Sequence, residues 1–313
     1  MKRMVVGIPA LVLSAALAGC GSGGSDAGSD PARRALPPVG AIPTITSVDE
    51  ITRPIDRYLV TPEEVGSIQN AANIVNEKCM NEFGLPGIPT GLSGFDAKAM
   101  RFEKTHSPLY GFFDPAGAAV NGYDRVLGEA DPGPRRAAPA AEVLAVEHGT
   151  DAAGAPVTSY AGRTVPPGGC KGESVRRTGG TLPMPDPPTL PDRGPHSAVD
   201  DPRVVAAYRA WSSCMKAAGY HYATPDDALT DPNLVPPTGG PDAGRHPAVE
   251  VAHATADVRC KTSTNLVGIA VAVQSAYDDL YIEGHRDALR DYHDRLTARL
   301  ADARRIIAEA AGA

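Results

Sequence analysis

Five cysteines carry most of the chemical potential of this 313-residue chain: Cys20, Cys79, Cys170, Cys214 and Cys260. Cys79 and Cys214 are each followed by methionine and, five residues on, by Gly84 and Gly219; Cys170 and Cys260 are each followed by lysine. Oxidised, such a set makes disulfides. Reduced, the adjacent Cys-Met pairs offer soft ligands to Cu(I). Two Glu-x-x-His pairs also occur, Glu103 with His106 and Glu250 with His253, and Asp257 stands four residues beyond His253. On a helix that spacing puts carboxylate and imidazole on one face, so Glu250, His253 and Asp257 are the residues from which a metal site would be built. His106-Ser107-Pro108 does not read as helical, which weakens the first pair. Ser213 and Lys216 have the Ser-x-x-Lys spacing of a serine nucleophile, but the Ser-Asp-Asn and Lys-Thr-Gly segments that complete such a site are missing. Gly-x-Ser-x-Gly, His-Glu-x-x-His and Walker A patterns are missing too. The expectation is a chain that is not an enzyme and takes no cofactor, with the Glu250, His253, Asp257 set as the alternative binding site.

The state of the cysteines depends on the compartment, and the N-terminus speaks to that. Met1-Lys2-Arg3 is a charged start, and an apolar run from Met4 to Leu17, broken only by Gly7, Pro9 and Ser14, leads to Leu17-Ala18-Gly19-Cys20. A charged start, a short apolar run and small residues before the cut read as a secretory signal, too short to remain as a spanning helix. Leu17-Ala18-Gly19-Cys20 resembles a bacterial lipobox. The resemblance implies cleavage before Cys20, a diacylglyceryl thioether on its sulfur and acylation of the new amine. Two or more chains on one residue meet the double requirement for stable anchoring, at about 0.8 kcal/mol per buried methylene. Gly21 to Ala35 has almost nothing to bury and reads as a flexible tether, with folded protein starting near residue 45. The run from Gly19 to Gly24 also satisfies Gly-x-Gly-x-x-Gly, but it straddles the cleavage site instead of joining a strand to a helix, so it is no dinucleotide site.

In an exported chain the remaining four cysteines form two disulfides, and three pairings are formally possible. The echo of Cys-Met and Cys-Lys contexts makes the chain read as a degenerate repeat. Pairing within each unit joins Cys79 to Cys170 and Cys214 to Cys260.

These cysteines need helices to hold them. Thr61-Pro62-Glu63-Glu64 has the capping hydroxyl, first-position proline and third-position glutamate of a helix start; Val65, Ile68, Ala72, Val75, Cys79 and Phe83 then recur every three or four residues until Gly84. Asp201-Pro202 opens a second such helix, with Val204, Tyr208, Trp211, Met215 and Ala218 on one face and Gly219 at its end. A third is expected from Ala248 to Thr262, carrying Cys260. Beyond Leu266 the apolar positions continue through Ala270, Val273, Tyr277 and Leu280, and then Leu289, Tyr292, Leu296, Leu300, Ala303, Ile307 and Ala310, with Gly284 separating two helices. That last stripe reads as a helix closing the protein's own core, or else as a partner-binding coiled coil. Asp291 and Arg295 are spaced for an i, i+4 pair. About a third of residues 128–202 are glycine or proline, which predicts a long irregular connection pinned near Cys170.

Composition removes one class of partner. With 30 basic and 37 acidic side chains the net charge is -7, the wrong sign for tracking phosphates, and the single Trp211 among 5% aromatic residues leaves no base-stacking surface. No nucleic acid is expected. Loss of Lys2 and Arg3 makes the chain more acidic still, so anionic lipid adds nothing to the anchor.

The reading is thus a mainly α fold, disulfide-stapled, with long Pro/Gly-rich loops and a long C-terminal helical segment. Its divisions are a signal peptide at 1–19, the lipidated cysteine and tether at 20–44, a first unit at 45–200 and a second at 201–313 that includes the C-terminal helices. With the lipobox, the Cys-Met segments ending in glycine and the Pro167 to Glu173 run in view, the chain resembles uncharacterised actinobacterial lipoproteins; Trp211 to Tyr220 is the most family-like piece. The resemblance spans most of the mature chain and implies no activity. The expected role is a non-catalytic accessory or interaction subunit, lipid-anchored at the extracytoplasmic face of the cell membrane, with an envelope protein as partner. A solute- or metal-binding lipoprotein is the alternative.

Overall fold

A computed structural model describes residues 36–87, 102, 105–124, 139–181, 183, 187–234 and 247–312. The expected signal peptide at 1–19, Cys20 and Glu103 lie outside these residues.

The first long helix, α1 (Pro62–Glu82), starts where its caps dictate. Glu64 N–H donates to Thr61 Oγ1 at 3.2 Å and Thr61 N–H donates to the Glu64 carboxylate at 2.9 Å, satisfying two donors that a helix start leaves open. Four short or medium helices follow in order: α2 (Ala118–Asn121), α3 (Ala141–His148), α4 (Gly169–Arg177) and, after a longer loop, α5 (Pro202–Ala217). Then come α6 (Pro225–Leu229), α7 (Ala248–Ser263), α8 (Leu266–Gly284) and α9 (Arg286–Ala311). Among the described residues, strands are confined to two antiparallel two-residue hairpins, β1 (His106–Ser107) with β2 (Gly111–Phe112) and β3 (Ser159–Tyr160) with β4 (Arg163–Thr164). The fold is mainly α, as the periodicity requires.

The echo between the Cys-Met segments extends to backbone hydrogen bonds. At the end of α1, Leu85 N–H donates to Met80 O and Gly84 N–H to Asn81 O; at the end of α5, Tyr220 N–H donates to Met215 O and Gly219 N–H to Lys216 O. This is one helix-ending motif used twice, and it needs a left-handed residue at the glycine, where φ is 70° and 94°. Met80 and Met215 are both fully buried.

Packing divides into four apolar clusters. The largest gathers α5, α7 and the first half of α8 with the β1–β2 hairpin, around Trp211, Phe112, Phe113, Tyr123, Met215 and Leu266. A second joins Val65, Ile68, Ala71 and Val75 of α1 to Leu296, Leu300, Ala303 and Ile306 of α9. The third surrounds Cys79 and Cys170 with Val143, Val146 and Val165, and the fourth sets Leu289 and Ile282 against Ile55 and Leu190. Because α9 packs on α1, the last helix of the chain completes the core of the first. Pro37–Ala313 forms one compact unit, and the boundary drawn at 200 separates sequence repeats that share a core.

Three expectations need correction. The tether ends earlier than residue 44: Pro37 is buried and its carbonyl accepts from Arg203 Nη1 at 2.8 Å, while Asn265 Nδ2 donates to Pro43 O at 2.9 Å. The Pro/Gly-rich stretch from 128 to 202 holds α3, the β3–β4 hairpin and α4. Its glycines serve close approach: a Cβ on Gly149 would meet Gly169 N, and one on Gly169 would meet the Val146 and Glu147 carbonyls, so α3 and α4 touch backbone to backbone. Composition alone cannot distinguish such contact from looseness. On the last stripe, Ile306 takes the buried place given to Ile307, Ala310 and Leu280 are exposed, and Asp291 and Arg295 form no pair.

Candidate functional site

The four cysteines of the body form the two bonds read from their contexts, Cys79–Cys170 and Cys214–Cys260, each with Cα atoms 5.6 Å apart. No Cys-Met thiolate is left to bind copper. The two units diverge at the second partner: Cys170 sits in the first turn of α4 and its neighbour Lys171 is exposed, whereas Cys260 sits near the end of α7 and Lys261 is fully buried.

Lys261 is the centre of a polar constellation inside the largest cluster. α7 places Asp257 and Lys261 at i, i+4 on one face, and α5 brings Trp211 opposite. Lys261 Nζ donates to Asp257 Oδ2 at 2.7 Å and to Phe112 O at 2.6 Å; Trp211 Nε1 donates to Asp257 Oδ1 at 2.8 Å. Nζ also lies 5.9 Å from the Trp211 ring centre, within cation–π range. Burial pushes the Asp257 carboxyl up and the Lys261 ammonium down from their usual ranges, and each charge opposes the shift of the other. Both side chains have zero exposure. A sealed pair with both carboxylate oxygens taken is a structural device, because no solute reaches it without opening the core.

The other members of the candidate metal set are scattered around this centre. Glu250 is fully buried and its Oε1 accepts from Tyr123 N–H at 3.2 Å. His253 is half-buried: its Nδ1 lies 3.1 Å from the Tyr222 hydroxyl, which donates to Asp231 at 2.7 Å. Burial holds the His253 imidazole below its usual range. With Asp257 turned inward to Lys261 and His253 outward to Tyr222, the three do not converge as ligands, since α7 presents them to different neighbours. Among the described residues no group of three His, Cys, Asp or Glu side chains could hold a metal ion. His106 lies in β1, and its two ring nitrogens approach the carbonyls of Phe102 and Tyr123 at 3.1 and 3.0 Å; burial lowers its pKa also. Ser213 donates to Arg209 O of its own helix at 2.9 Å, and Lys216 is exposed.

A second buried acid ties the N-terminal segment to α8. Arg53 donates Nε and Nη2 to the two oxygens of Asp278 at 2.9 and 2.6 Å, and Gln274 Nε2 donates to the same carboxylate at 3.2 Å while its own oxygen accepts from Ala198 N–H. Sequence reasoning missed both this pair and the burial of Lys261. For Lys261 a signal existed: an acid four residues ahead, on a helix carrying a disulfide cysteine beside it. For Arg53 and Asp278, 225 residues apart, there was none.

Comparison with protein-family models, curated proteins and solved structures finds no match to this chain.

Proposed function

We propose that the protein is a non-catalytic lipoprotein, anchored by lipid on Cys20 at the extracytoplasmic face of the cell membrane, where it acts as an accessory or interaction subunit of the envelope. The observation that carries this reading is Leu17-Ala18-Gly19-Cys20 behind a charged start and a short apolar run. The resemblance to actinobacterial lipoproteins belongs to the same proposal. Two disulfides support an oxidising compartment. No helix among the described residues is long and apolar enough to cross a membrane.

The test is fractionation of the full chain with Cys20→Ser and mass spectrometry of the mature N-terminus. Wild type should partition with membranes and carry acyl chains on residue 20, and the variant should be released or left unprocessed. Unmodified Cys20 in mature, membrane-associated protein would remove the proposal.

A further inference from the structure

α9 closes the core with one face, and an adjacent face lines an open cleft. The cleft holds about 310 Å³ and is bounded by Tyr292, Arg295, Leu296 and Arg299 of α9 and by loop residues that include Thr181 and Thr189. That volume lies at the small end of the range for ligand pockets. Its described lining contains two guanidinium groups and no carboxylate, in a chain whose net charge is -7.

Arg299 is built into the wall. Its Nε donates to Thr178 O at 3.0 Å, and its Nη2 to Gly180 O at 3.3 Å and Thr181 O at 2.8 Å. A Cβ on Gly179 would lie 2.7 Å from Arg299 Cγ, so glycine there lets the loop close over the side chain. Carbonyls fix the plane of the guanidinium but do not neutralise it, and Nη1 has no partner among the described residues. Burial lowers the Arg299 pKa, opposed by Tyr292. Arg295, one helical turn earlier, forms no ion pair or hydrogen bond with any described residue and presents a second like charge at i, i+4, an arrangement that is unfavourable unless an anion lies between the two. Tyr292, whose hydroxyl lies 3.5 Å from Thr189 Oγ1, adds a polar wall, and Leu296 and Pro183 supply apolar surface.

We propose that this cleft binds a small organic anion, a carboxylate or phosphate monoester carried on a compact apolar body. The oxyanion lies between Arg295 and Arg299, where the held guanidinium of Arg299 and the exposed one of Arg295 suit a planar or tetrahedral oxyanion, and the apolar body rests against Leu296 and Pro183. This site is independent of the lipid anchor, and its test does not depend on how the chain is attached.

The experiment is calorimetric titration of the full chain, purified in non-ionic detergent, with benzoate, phenyl phosphate and inorganic phosphate. Saturable one-to-one binding of benzoate, phenyl phosphate or both is expected, and which of them binds distinguishes the carboxylate from the phosphate source. Arg295→Gln should weaken that binding about tenfold or more while leaving the melting temperature unchanged, because the side chain supports nothing else. Arg299→Gln should weaken it further, and if the loop fails to close without its guanidinium, Arg295→Gln alone carries the test. Binding of inorganic phosphate only, no saturable binding, or organic-anion affinity indifferent to Arg295→Gln would overturn the proposal.

Discussion

The two disulfide regions share a polar cap followed by proline, the same Cys-Met placement and the same glycine ending, yet they rest on different interiors. Around Cys214–Cys260 the core is large and aromatic, and its buried charges are matched: Asp257 accepts from Lys261 and Trp211, and Lys261 also reaches Phe112 O. Around Cys79–Cys170 the core is small, and its buried polar pair is only half satisfied. Asn76 Nδ2 donates to Glu147 Oε1 at 2.8 Å, but Asn76 Oδ1 and Glu147 Oε2 have no partner among the described residues. Each such orphan costs about 1–3 kcal/mol. Loop length does not explain the contrast. The bonds span 91 and 46 residues, and chain entropy assigns them about 4.6 and 4.0 kcal/mol, nearly equal. What differs is how much else holds each region once its bond is gone.

That difference yields the largest expected effect. Replacing Cys79 and Cys170 by alanine should cost about 4–5 kcal/mol and should also open α3 and α4 locally, seen as early amide exchange there while α5 and α7 stay protected. Replacing Cys214 and Cys260 should cost a similar amount but lower stability as a whole, without an early-opening segment. Uniform exchange in both variants would erase the distinction.

Lys261→Met tests the matched interior directly. It strands a buried carboxylate and should cost about 3–5 kcal/mol, most of it recovered when Asp257→Leu is added. A double variant as unstable as the single one would show that the pair does more than balance its own charges.

α9 gives the next effect, because it is the helix on which the first region leans. Leu296 is 7% exposed between α9 and α1, so Leu296→Asp should destabilise by about 2–4 kcal/mol and lower the melting temperature of the monomer. An unchanged melting temperature with loss of a membrane partner would turn the stripe into a docking surface.

The smallest effects separate the two helix starts. Thr61→Ala and Asp201→Ala should each cost about 1 kcal/mol, but in the second start the capping residue is itself a carboxylate. Arg203, donating to Asp201 at 2.7 and 2.9 Å, together with the Arg203 backbone N–H and the Tyr277 hydroxyl, holds that carboxyl at about 2. Its folded pKa is below its unfolded one, so its stabilisation is present above about pH 4 and lost as pH falls toward 2. Thermal melts between those pH values should show a slope that Asp201→Asn reduces and Thr61→Ala leaves intact.

Much of the architecture was legible before any coordinates, because the signals were local. Thr61-Pro62 and Asp201-Pro202 announce helix starts since a cap acts within four residues. The apolar spacing of α1, α5 and α9 names the faces they bury since 3.6 residues make a turn. The paired contexts of Cys79, Cys170, Cys214 and Cys260 led to the correct bonds. Where local composition misled, from 128 to 202, glycine and proline were serving contact between α3 and α4 and not freedom. The candidate ligands Glu250, His253 and Asp257 shared one helix but faced different neighbours, which spacing along that helix could not reveal.

By itself the sequence determined α1, α5, α7, α8 and α9, the disulfide pairing and the acidic character of the chain, all properties set within a few residues or by counting. Only the tertiary structure decided that α9 would complete the core of α1, that Lys261 would be sealed against Trp211 while Lys171 stayed in water, and that Arg295 and Arg299 would share one cleft. Those outcomes depend on which surfaces meet across 100 or 200 residues, and the free energy of burying or exposing a charge is settled by that meeting, not by the residue's neighbours in the chain.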